Sequence, residues 1–124
     1  MYQAYKRTGG RYASKADEVF ASINRHGLIY INSGLTKRIG EDRLKFCTLY
    51  YDEDTKRVGV EFARRRKATT DGTQLKVVKI RNGEVNVISA VGMLNTFKIA
   101  KPQKRLPITF ESEDFISFEV KTKE

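Results

Sequence analysis

The 124-residue chain is poor in the residues that most enzyme and secreted-domain chemistries need, with one cysteine, one histidine and no tryptophan. A lone Cys47 cannot close an internal disulfide, which fits a reducing compartment and leaves the fold to its core. No Cys/His spacing suggests zinc, and His26 sits in what reads as a hairpin turn. The sequence has no apolar run of about 18 residues, so no helical membrane span is expected. Its first residues, MYQAYKRTGG, lack the apolar stretch of a secretory signal, so a cytoplasmic location is expected. Acidic residues are also in short supply: 15 Asp and Glu stand against 24 Lys and Arg, a net charge of +9.

Such an excess points toward a polyanion, most often nucleic acid. It is placed unevenly, since residues 1–70 carry 15 Lys/Arg against 8 Asp/Glu and residues 71–124 carry 9 against 7. Any polyanion is expected to lean on the first half. At this length one domain with a modest core is expected.

Hydropathy patterning reads as mainly β with short helices. Residues 1–16 form a polar, tyrosine-bearing basic arm. VFASI and GLIYI flank NRHG, a hairpin signal with Gly27 available for a positive φ. Ser33 is placed to cap a short helix in SGLTKRIG, with Leu35 and Ile39 on one face and Gly40 as its stop. RLKFCTLYY and RVGVEF then alternate on both sides of DEDTK, a second hairpin that puts Val58, Val60 and Phe62 on one face.

That order recurs. QLKVVKI and EVNVI flank Arg81-Asn82-Gly83, a short helical run follows Ser89 with Val91 and Leu94 inward, and RLPITF and FISFEV flank ESED. In this alignment Gly83 falls on Gly27, Val85 on Ile29 and Val87 on Ile31. Residues 17–62 and 74–120 are therefore read as two half-repeats, joined by the polar segment 63–73. Neither half can cover its own apolar face, so interleaving into one small closed barrel is expected.

INRHGLIYINSGLTKRIGEDRLKFCTLYYDEDTKRVGVEF resembles the SpoVT/AbrB-type swapped-hairpin DNA-binding domain. The matching positions are Gly27, Ile29, Ile31, Leu35, Ile39 and Gly40. The resemblance covers the first half well and the second more loosely. It implies a fused version of an intertwined dimer, related to double-psi barrels, acting as a monomeric pseudo-dimer or a homodimer. It also implies DNA contacts from the first helix, where the family's basic positions fall on Thr36 and Lys37, with Arg38 adjacent. Leu28 and Asn32 depart from the family's basic and proline positions, and Gly92 and Met93 replace the basic pair in the second half.

The expected contact residues are Arg25, Lys37 and Arg38, the run Arg64, Arg65, Arg66 and Lys67, and Lys79 and Arg81 at a later turn. Each has a plainer reading as a solvated face, although four adjacent cations are seldom needed merely to keep a loop soluble. Tyr2, Tyr5 and Tyr12 among cations can stack on unpaired bases, and a disordered arm is the plainer alternative. The acidic turn Asp52-Glu53-Asp54 lacks the ligand spacing of a calcium loop. No cofactor and no catalytic activity are expected. The function expected is a small DNA-binding transcriptional regulator, with DNA preferred to RNA as partner. The alternatives are a basic module docking an acidic protein, as inhibitor or assembly factor, and a binder of single-stranded nucleic acid.

Overall fold

The computed structural model describes residues 18–65, 74–80 and 85–123. Local signals set the first hairpin, β1 (Phe20–Ile23) and β2 (Leu28–Ile31). Its turn is held by Asn24, whose Oδ1 accepts from the amides of His26 at 3.0 Å and Leu28 at 2.9 Å. Gly27 adopts φ +87, and a Cβ there would come within 2.8 Å of Val91 Cγ2. Conformation and space both demand glycine. Gly27→Ala is expected to destabilise the protein by about 1–3 kcal/mol, measured by denaturant unfolding; an unchanged midpoint would contradict this packing.

Helix α1 (Ser33–Ile39) follows, and its cap is Asn32 rather than Ser33: the Asn32 side chain accepts from Leu35 N at 2.9 Å. Asn32 also ties back to the start of β1 through Glu18 O and Phe20 N, a reach that the shorter serine lacks. Gly40 stops the helix at φ +98, and a short 3-10 turn, Glu41–Arg43, leads into β3 (Phe46–Asp52) and β4 (Arg57–Ala63). The later elements are β5 (Gln74–Lys76), β6 (Val78–Ile80), β7 (Val85–Ser89) and α2 (Val91–Thr96). Strands β8 (Gln103–Pro107), β9 (Thr109–Phe110) and β10 (Phe115–Glu119) complete the order.

The architecture is mainly β, with two antiparallel five-stranded sheets ordered β6-β7-β2-β1-β8 and β5-β3-β4-β10-β9. Four strand pairings join sequence neighbours into hairpins, and four others cross between the two halves of the chain: β2 with β7, β4 with β10, β1 with β8 and β3 with β5. At two corners the chain passes from one sheet to the other within a single residue, Val77 between β5 and β6 and Ile108 between β8 and β9. The last hairpin is therefore shorter than its sequence suggests, because Gln103–Pro107 pairs with β1.

One core lies between the sheets. Ile23, Ile29 and Ile31 meet Val58, Val60, Phe62, Ile116 and Phe118, all nearly or fully buried. Leu35 and Ile39 of α1 and Leu94 of α2 join it, whereas Val91 remains 39% exposed because it covers Gly27 instead. The second half is also out of step with the repeat read from sequence. Ile88 and Asn86, not Val85 and Val87, lie opposite Ile29 and Ile31. A one-residue slip exchanges the two faces of a strand, which explains how a fully buried Asn86 reaches the core. Its Nδ2 donates to Thr36 Oγ1 at 2.8 Å, linking β7 to α1.

Candidate nucleic-acid interface

The cross-half pairing of β3 with β5 builds a basic groove. Phe46 opens β3 and pairs with Ala63 on one side and Lys76 on the other. Two strand spacings therefore separate Ala63 from Lys76, about 10 Å, with the Phe46 ring between them. The next residue along each strand adds Lys45, Arg64 and Val77, and the Val77 amide donates to Lys45 O at 3.0 Å. Beyond the corner, β6 contributes Val78 and Lys79. The resulting groove of about 520 Å³ is lined on its apolar side by Leu44, Phe46, Val77 and Val78. Its cations are Lys45, Arg64, Lys76 and Lys79, all exposed, and among the described residues no carboxylate lines it.

Several arginines elsewhere in the fold are held by neighbours. Arg57 donates to Ser117 Oγ and Thr109 Oγ1, Arg105 pairs with Glu18 and lies over Phe20, and Arg38 stacks 4.7 Å above the Phe110 ring. Arg43 pairs with Glu113 at 3.3 Å. Among the described residues, Lys45, Arg64, Lys76 and Lys79 have no side-chain hydrogen bond or ion pair. Gathering like charges without counter-ions raises the local potential and costs stability, a cost that an anion relieves.

A second cleft of about 780 Å³ adjoins the first, and Arg64 lines both. Arg43, Arg64 and Arg65 supply its positive charge, and Glu113 and Asp114 of the β9–β10 loop line it with them. Positive charge is thus partly offset on that side, whereas no carboxylate among the described residues offsets it on the β6 side.

Arg64 and Lys79, both expected from the sequence, are brought together in the groove. Arg65 is exposed in the neighbouring cleft, while Arg66, Lys67 and Arg81 lie outside the described residues, as does the tyrosine-bearing arm. Lys37 and Arg38 are exposed on the last turn of α1 and do not line the groove. Arg25 is distant from it. Its turn joins β2 at Leu28, which pairs with Ser89, whereas Lys79 pairs with Asn86 at the other end of β7. Three residues of strand, about 10 Å, intervene. Arg25 Nε instead donates to His26 Nε2 at 3.4 Å in the exposed turn.

Lys45 and Lys76 were not singled out by sequence reasoning. Each is an isolated cation beside an apolar strand, and only long-range pairing makes them neighbours. The remaining chemistry-bearing candidates offer little. Burial pushes the Cys47 thiol up to about 12, so it stays protonated and unreactive at neutral pH. Among the described residues no group of three or more His, Cys, Asp or Glu is placed to hold a metal, and no helix is long and apolar enough to cross a membrane. Comparison of the chain with protein-family models, curated proteins and solved structures finds no match.

Proposed function

We propose that this chain is a nucleic-acid-binding protein, with DNA its first expected partner, that holds backbone phosphates in the groove between β3, β4 and the β5–β6 corner. The observation that carries the reading is the convergence of Lys45, Arg64, Lys76 and Lys79 on one groove that no carboxylate among the described residues lines. Phosphate contacts of this kind supply affinity and position without reading sequence. The chain leads from Arg65 directly into Arg66 and Lys67, which adds cations next to the same place in sequence. The proposed architecture is a covalent pseudo-dimer, closed into a barrel by the two strands that turn from sheet to sheet at Val77 and Ile108. Equivalent strands pair with each other, β2 with β7 and β4 with β10, as a pseudo-twofold axis requires. Only the first half keeps a basic first helix, which fits a binding surface that is not symmetric.

Two double variants test the assignment on one labelled DNA at one fixed salt concentration. Replacing Lys45 and Lys79 with glutamine is expected to weaken binding about tenfold or more, because two charge-assisted phosphate contacts are lost. Replacing Lys98 and Lys101, beyond α2 and outside the groove, is expected to change it less than threefold. Equal losses would show that binding follows net charge and not this groove.

A further inference from the structure

We infer that the arginine-lined cleft beside the groove is a second phosphate subsite, occupied in the free protein by the chain's own Glu113 carboxylate. The inference rests on the nucleic-acid reading above and extends the surface that the ligand covers. Two chain segments join the cleft to the groove. Arg43 lines the cleft and Lys45 the groove, with the buried Leu44 anchoring the chain between them, and Arg64 lines both. A nucleic-acid backbone held at Lys45 and Arg64 lies next to the cleft.

The cations change character across that boundary. Arg43, Arg64 and Arg65 line the cleft, and no lysine among the described residues joins them. A guanidinium holds phosphate through two parallel hydrogen bonds, whereas an ammonium meets it as a point charge. Arg43 Nη2 already lies 3.3 Å from an anionic oxygen, Glu113 Oε2. In the proposed complex a phosphate oxygen takes that place.

The pair gives way easily. The Glu113 side chain is 84% exposed and that of Arg43 33%, so water screens their attraction. Nor does the loop depend on it. Phe62 N donates to Asp114 O at 2.7 Å, and the amides of Glu111 and Ser112 donate to Phe115 O at 2.8 and 3.1 Å. Ser112 Oγ also donates to Asp114 Oδ1 at 3.0 Å. These bonds keep the β9–β10 loop against the end of β4 when the Glu113 side chain swings into solvent. Glu113 thus competes with phosphate for Arg43, and it lowers the affinity by the share of the time that it holds the site.

The test uses the full chain, one labelled DNA duplex and fluorescence anisotropy at one fixed salt concentration. Glu113→Gln removes the competing charge and is expected to tighten binding about threefold to fivefold. Glu119→Gln is the control for net charge. Glu119 pairs with Arg57 at the far end of β10, whereas Phe115 pairs with Glu61 beside the cleft. Four residues of strand, about 13 Å, separate the two ends. The control is expected to change binding less than about twofold. The third arm repeats Glu113→Gln with Arg43→Gln present. Without the guanidinium there is nothing to release, so the gain is expected to fall below about twofold.

Equal tightening by Glu113→Gln and Glu119→Gln would overturn the inference in favour of net charge. A gain from Glu113→Gln that persists in full beside Arg43→Gln would overturn it too, because the subsite needs that arginine. A lowered denaturant midpoint in Glu113→Gln, with no tighter binding, would make the pair a structural clamp and overturn it as well. In each of these cases the Lys45 and Lys79 variant, still weakened, would keep the groove reading standing. Failure of the unaltered chain to bind DNA would remove the nucleic-acid reading itself.

Discussion

Cut between Thr70 and Asp71, the chain is expected to give two fragments that remain unfolded apart and regain β structure only when mixed. Four of the eight strand pairings among the described residues cross that boundary, including the central partners of both sheets. Each fragment alone retains two hairpins, and isolated hairpins are marginal in water. Each also loses its cover: Ile29 and Ile31 would lack Ile88, and Val58 and Val60 would lack Ile116 and Phe118. The loss equals the whole stability of the domain, about 5–15 kcal/mol. Far-UV circular dichroism of the separate and mixed fragments measures it. A 71–124 fragment that melts cooperatively by itself would contradict the interleaved arrangement.

The second large effect is on binding. Replacing Lys45, Arg64, Lys76 and Lys79 together with glutamine is expected to remove most of the affinity for DNA and flatten its salt dependence. Each phosphate contact contributes a slope of about −0.9 in log K against log salt on duplex DNA, or about −0.7 on a single strand. Four duplex contacts correspond to roughly a hundredfold loss of wild-type affinity between about 50 and 200 mM salt. The variant should lose that dependence together with its affinity. All four side chains are exposed and none is tied to a neighbour among the described residues, so folding is expected to survive. Removing mutual repulsion is expected to leave stability equal or slightly higher, within about 1 kcal/mol. An unchanged slope would mean that the phosphates lie elsewhere, with Lys37 and Arg38 on α1 the next surface to test.

Local chemistry was legible in the sequence, and long-range partnership was not. Gly27 and Gly40 are marked because a positive φ is needed at a turn and at a helix end, and both adopt one. Alternation over Val58, Val60 and Phe62 correctly places all three in the core. The slip in β7 escaped because VNVIS is apolar at Val85, Val87 and Ile88, so its pattern fits either face. Only pairing with β2 decides, and it buries Asn86.

The corners at Val77 and Ile108 escaped for a related reason: the parts on either side are short, and only their pairing shows which sheet each one joins. The site follows the same rule. Arg64 and Lys79 stood out as a charge run and a cation near a turn. Lys45 and Lys76 became visible only once Phe46 was seen to pair with Lys76.

The most direct test of the groove as the interface is a ¹⁵N-labelled sample titrated with a short DNA single strand and followed amide by amide. The groove assignment predicts shifts concentrated at Leu44–Phe46, Ala63–Arg65 and Lys76–Ile80, with Arg25, His26 and α2 unmoved. Shifts centred on the Arg25 turn or on α2, with the β3–β5 corner silent, would contradict it.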